Sequence, residues 1–107
     1  MDKIKINEEY SEIFDGLRKN RAEMSYYKYG SAKKNYKNRL SNPLVSLELC
    51  VEKYKETHNT EYLCDAANYL MFEFMYPQFD DAHFKATSSD ESAGRDGITY
   101  DDLFKED

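Results

Sequence analysis

Glu61, Asp65 and Asn68 stand four and three residues apart in the stretch "EYLCDAANYLMFEFMYP". On an α-helix that spacing brings all three side chains onto one face, within about 60° of arc. Glu48 and Glu52 align in the same way in the preceding helical segment. A short connection makes the two segments antiparallel neighbours, so the two acidic strips could face each other. Four carboxylates converging between helices cannot all stay ionised without cations. Glu48, Glu52, Glu61 and Asp65 are therefore candidate ligands for Mg²⁺ or Mn²⁺, hard cations that prefer oxygen donors and bridge to phosphates. A metal held there could activate water against a phosphoanhydride. The plainer alternative leaves Glu48 and Glu52 as a solvated helix face and pairs Asp65 and Asn68 with donors of the same chain. A polar group within an apolar surface costs roughly 1–3 kcal/mol unless it is paired, so Asp65, Asn68 and Glu73 need either partners or a ligand.

A second constellation is basic. Arg18, Lys19, Arg21, Lys28, Lys33, Lys34, Lys37 and Arg39 oppose only Glu23 between positions 18 and 39, a net of +7 within a chain of net charge -6. Tyr26, Tyr27, Tyr29 and Tyr36 are interleaved with these cations. Rings in such a segment stack on a base while amines neutralise phosphate, making Lys28, Tyr29, Lys33, Lys34 and Lys37 candidate ligand-binding residues, with Asn68 beside them. The alternative is a solvated basic loop that pairs with the acidic tail of the same molecule. Further on, "HFKATSSDESAGRDG" gathers His83, Lys85, Thr87, Ser88, Ser89, Ser92 and Arg95 into a hydroxyl-rich stretch. It is either a lid over an anion, with His83 contributing, or a plain polar linker. His58 reads as a surface residue. No nucleophile motif surrounds the serines, and no catalytic residue can be named.

These residues need a scaffold. Asn7 is a helix cap with Glu8 and Glu9 behind it, and Tyr10, Ile13, Phe14, Leu17, Met24 and Tyr27 follow three- and four-residue spacing. This predicts a first amphipathic helix from about Glu8 to Tyr29, ended by Gly30. Next comes the basic connection "SAKKNYKNRLS", with room for a turn of helix. Asn42 and Pro43 restart a helix, and Thr60 or Asn59 caps a third that runs to about Tyr76, before Pro77. The third is apolar around most of its circumference and should be central. A short last helix is expected from Thr99 in "TYDDLFKED". The predicted fold is all-α: a three-helix core over residues 1–77, and a loop-rich acidic arm over residues 78–107 that belongs to the same domain and ends in a short helix. Cys50 and Cys64 lie in apolar helical patterns without metal-ligand spacing and read as reduced thiols. No apolar run reaches the ~18 residues of a membrane span, and "MDKIKINEEY" has no apolar signal segment, so a cytoplasmic location is expected. Three short helices, one apolar all round, imply a homo-oligomer.

The order "YYKYG", "NPLVSLELCVEKY", "EYLCDAANYLMFEF" resembles the all-α nucleoside triphosphate pyrophosphohydrolases of the MazG-like group. It looks most like their compact phage-encoded relatives, in which a Lys-Tyr-Gly turn precedes two helices. "DAANYLM" is also similar to nucleotide-modification-associated phage domains. The likeness spans Tyr26 to Met75. It implies Mg²⁺ as cofactor, metal roles for Glu48, Glu52, Glu61 and Asp65, a nucleotide as ligand and, for a phage-encoded chain, the host cytoplasm. The family's Glu-x-x-Glu and Glu-x-x-Asp spacings are here Glu48-x-x-x-Glu52 and Glu61-x-x-x-Asp65, a departure that bears on hydrolysis more than on binding.

Two functions are thus expected. One is a small phage-type nucleotide-binding protein, with pyrophosphohydrolysis dependent on Mg²⁺ as its enzymatic form. The other is an acidic anti-defence inhibitor. The 68 residues after Arg39 carry a net charge of -10 and could imitate a nucleic acid to block a host nucleic-acid-handling protein. Such an inhibitor could instead sequester a nucleotide signal without cleaving it.

Overall fold

A computed structural model describes residues 5–88 and residue 91. These residues are all-α. Helices α1 (Ile6–Glu9), α2 (Glu12–Tyr29), α3 (Pro43–Thr57) and α4 (Glu61–Met75) are joined by a π-helical segment, Lys33–Lys37, between α2 and α3. The short helix expected from Thr99, and with it Ser89, Ser92 and Arg95, lies outside the described residues.

Local chemistry sets each boundary. The first helix expected over Glu8–Tyr29 is broken in two, with the chain extended at Tyr10 and Ser11. Ser11 takes the capping role expected of Asn7, its hydroxyl accepting from the Phe14 amide at 3.0 Å, and Glu12 and Asp15 complement the first turn of α2. The Tyr10 hydroxyl donates to Asp15 across this break. Gly30, at φ 87°, ends α2 in a conformation that a side chain would oppose. Asn42 caps α3 through the Leu44 amide at 2.9 Å, and Pro43 at the first helical position is fully buried. His58, at φ 62°, closes α3. Of the two caps expected for α4, Asn59 supplies the oxygen, accepting from the Glu61 amide at 3.0 Å, whereas Thr60 is already helical. Pro77 follows the end of α4.

The connection of three residues makes α3 and α4 an antiparallel hairpin, and α2 lies against α4. As its all-round apolarity predicts, α4 is central: among the described residues the buried side chains are Cys64, Ala66, Asn68 and Phe72 of α4 together with Pro43. Tyr36, from the π-helical segment, stacks on Phe72 with ring centroids 5.0 Å apart.

The rotation of α2 departs from expectation. Its apolar stripe, predicted to face the core, looks outward: Ile13 is 78% exposed, Leu17 52%, Met24 50% and Tyr27 84%. The face turned to α4 is polar. Asn68 Nδ2 donates to the Arg18 carbonyl at 2.8 Å, the Arg18 guanidinium reaches the Met71 sulfur at 3.6 Å, and Arg21 grips Asp65. A bidentate guanidinium–carboxylate pair has little rotational freedom, so this pair, with the Asn68 bond one turn away, fixes which side of α2 faces inward.

Candidate functional site

Asp65 and Asn68 project from the α4 face that meets α2. Arg21 Nε and Nη2 each donate to Asp65 at 3.0 Å, and Arg21 Nη2 also lies 3.4 Å from Glu61 Oε1. Hydrogen bonding to Asp65 raises the Arg21 pKa against the opposing effect of burial. Asp65 therefore already has its counter-ion. The thiol of Cys64, next in sequence, is pushed up by burial and then by the Asp65 charge, and half-buried Cys50 on α3 responds to the same two influences. Both cysteines are free thiols.

The four carboxylates proposed as a metal site do not assemble into one. Among the described residues, no group of three or more His, Cys, Asp or Glu side chains is placed to hold a metal ion. Glu61 and Asp65 share Arg21, whereas Glu48 and Glu52 are exposed on α3. The residues present thus do not fit a resident Mg²⁺, because the cationic partner of the Glu61–Asp65 strip is a guanidinium. Glu73, near the end of α4, accepts the Gln78 backbone N–H at 2.9 Å and so steadies the turn that follows the helix.

Next to the Arg21–Asp65 pair opens a cavity of about 490 Å³ between the C-terminal half of α2, the π-helical segment, the start of α3 and the middle of α4. Tyr26, Tyr29, Tyr36 and Tyr69 supply its rings, Ser25, Ser41 and Ser46 its hydroxyls, and Phe72 its floor; among the described residues no formally charged side chain lines it. Burial raises the pKa values of Tyr36 and Tyr69, keeping both phenols protonated as donors. A smaller cavity of about 20 Å³ shares the Ala22, Ser25, Tyr69 and Phe72 walls and reaches Asn68, Asp65 and Arg21. Asn68 is 4% exposed, and its Oδ1 has no hydrogen-bond partner among the described residues. A buried acceptor left open in this way is met by a donor from water or a ligand.

The π-helical segment builds one wall. Its wider turn carries Asn35 and Tyr36 inward while Lys33, Lys34 and Lys37 are exposed, and π-helical turns are frequent at functional sites. Asn35 braces the wall, donating to the carbonyls of Tyr29 and Ser31 at 3.0 and 3.1 Å. Arg39, just beyond, adopts φ 57° and pairs with Asp80 at 2.7 Å.

Of the ligand residues expected from sequence, Tyr29 lines the cavity, Asn68 lines its annex, and the lysines of the segment ride on its wall. Lys28 is exposed on the last turn of α2. His83 lies elsewhere: its Nδ1 is 3.0 Å from the Asp81 carbonyl, and it lines a separate groove with Phe74 and Phe84. Sequence reasoning did not single out Arg21, Ser25, Asn35 or Tyr69. For Arg21 a signal existed, since Arg18, Arg21 and Ser25 form their own strip at helical spacing beside the apolar one.

Comparison of the chain with family models, with curated proteins and with solved structures finds no match. Among the described residues, no helix is long and apolar enough to cross a membrane.

Proposed function

We propose that this protein binds a nucleotide, with the base among Tyr26, Tyr29, Tyr36 and Tyr69 and the phosphates directed toward Lys33 and Lys34. The observation that carries this reading is the tyrosine-walled, uncharged cavity whose wall is the lysine-bearing π-helical segment. Its volume lies within the range of small-molecule sites, roughly 300–1,000 Å³. Neutral rings and hydroxyls suit a base and sugar, and amines beyond them suit phosphate. The resemblance to MazG-like pyrophosphohydrolases points to the same ligand class. With Asp65 and Glu61 committed to Arg21, the reading is of binding without cleavage: a phage-type protein that sequesters a nucleotide. The reading includes association with further copies of the chain, because few of its apolar side chains are covered.

Calorimetric titration with a panel of nucleoside mono-, di- and triphosphates and cyclic nucleotides, paired with chromatography of the mixtures after incubation with Mg²⁺, tests it. Binding of at least one nucleotide, returned intact, is expected, together with an affinity loss of about tenfold or more in Tyr29→Ala. A panel without heat or thermal shift overturns the reading. Turnover abolished by Asp65→Asn would restore the hydrolase in its place.

A further inference from the structure

We infer that the outward stripe of α2 is the seam of a parallel two-stranded coiled coil with a second copy of this chain, registered by Asn20. The inference rests on the self-association in the reading above and gives it an interface. Ile13, Leu17, Asn20, Met24 and Tyr27 follow each other at intervals of four, three, four and three residues, the spacing that keeps one seam facing a partner helix. All five are exposed. Among the described residues α2 meets α4 through Arg18, Arg21 and Ser25, about 100° around the helix from the stripe, so a partner could reach the stripe without disturbing α4.

A second copy is the occupant that fits. A heptad stripe is complementary to itself, and Asn20 makes the choice of geometry. In a parallel, in-register pair it meets the same residue of the other copy, and each amide can donate to the other's carbonyl. In an antiparallel pair its layer would contain Leu17 or Met24, leaving a buried amide unpaired. The flanking charges agree. Glu23 and Lys28 are five residues apart, the separation at which residues beside a parallel seam meet across it, giving one Glu23–Lys28 pair on each side. At the equivalent place one heptad earlier Gly16 faces Arg21, so no carboxylate across the seam competes with Asp65 for that guanidinium. The seam is only about two heptads long, too short for free peptides to pair well. Here α4 already holds α2 helical, and association need not meet the cost of forming the helix.

Light scattering on the eluting full-length chain at about 50 µM, with the variants Leu17→Glu and Met24→Glu, is the first arm of the test. Dimer is expected for the parent, with the dissociation constant raised at least ~100-fold in both variants while their circular dichroism is unchanged. The second arm is air oxidation of Asn20→Cys, read on a non-reducing gel against the parent, whose Cys64 is buried and Cys50 half-buried. Efficient cross-linking is expected. A monomeric parent overturns self-association and leaves the nucleotide titration to be judged by itself. A dimer that survives Leu17→Glu and Met24→Glu places the interface elsewhere. A dimer whose Asn20→Cys form stays unlinked overturns the parallel register.

Discussion

The two sides of α2 reverse the usual arrangement of an amphipathic helix. Toward α4 it presents Arg18, Arg21 and Ser25; toward solvent it presents Ile13, Leu17, Met24 and Tyr27. Were hydrophobic burial the only force acting, the helix would turn by about a quarter of a revolution, since each large apolar side chain covered is worth roughly 1.5–3 kcal/mol. It does not turn, because doing so would separate Arg21 from Asp65 and leave a half-buried carboxylate and a buried amide without partners. Polar matching thus selects the orientation, and the apolar side is left for another surface.

The largest expected effect comes from breaking the inward side. Asp65→Ala leaves the Arg21 guanidinium, among the described residues, with only the more distant Glu61, and should cost about 2–3 kcal/mol of stability in urea titrations. The side chains of Arg21 and Asp65 keep 29% and 22% of their exposure, which tempers the loss relative to a fully buried pair. Replacing both partners, as Arg21→Met with Asp65→Leu, should recover most of it, because shape is retained and no charge is stranded. If Asp65→Ala is as stable as the parent, polar matching does not orient α2.

Next in size is the point where the inward side of α2 runs out. Gly30 at φ 87° and ψ -172° occupies a region essentially closed to side chains, although a methyl group there would meet no neighbouring atom. Gly30→Ala should therefore cost about 1–3 kcal/mol through backbone strain alone. Because Gly30 and Tyr29 line the cavity, nucleotide affinity should fall together with stability. Loss of stability with unchanged affinity would separate the α2 terminus from the site.

A smaller effect depends on pH. Burial raises the pKa values of Tyr36 and Tyr69, so the folded chain holds these phenolic protons more tightly than the unfolded chain does. Stability is then complete below the ordinary phenol range and declines as pH rises through it, where the unfolded state ionises first. Urea titrations in alkaline buffers should show the decline, and Tyr36→Phe with Tyr69→Phe should flatten it. A decline of the same slope in that double variant would assign it to other groups.

Much of the fold was legible from sequence. Asn42–Pro43, Gly30 and Pro77 each act through local backbone geometry, so the start of α3, the end of α2 and the end of α4 follow from local chemistry. The central role of α4 follows from its all-round apolarity. The break at Tyr10–Ser11 was hidden because the apolar spacing continues through it, and because Asn7 and Ser11 are equally good caps, so residue type alone does not tell which of them starts the long helix. The rotation of α2 was hidden for a different reason. Periodicity identifies a stripe but not what it faces, and the residue that decides, Arg21, is 44 positions from its partner. The cavity shows the same limit: the tyrosines of the basic segment were visible, but their meeting with Tyr69 and Phe72 depends on the π-helical turn, for which no sequence pattern was available.

The smallest effect is expected from the carboxylates that share a spacing with Glu61 and Asp65 but not their fate. Glu48 and Glu52 also lie four apart on one helix face, yet they are exposed on α3, while Glu61 and Asp65 converge on Arg21. Spacing places two carboxylates on one face; the facing helix determines whether a cation meets them. The double variant Glu48→Gln with Glu52→Gln should change stability by no more than about 0.5 kcal/mol and leave nucleotide affinity unaltered, with or without Mg²⁺. The titration decides between two accounts of the acidic strips. An affinity that depends on Mg²⁺ in the parent and loses that dependence in the double variant would mean that α3 and α4 do hold a metal between them when ligand is bound, and that Arg21 yields its carboxylates to it.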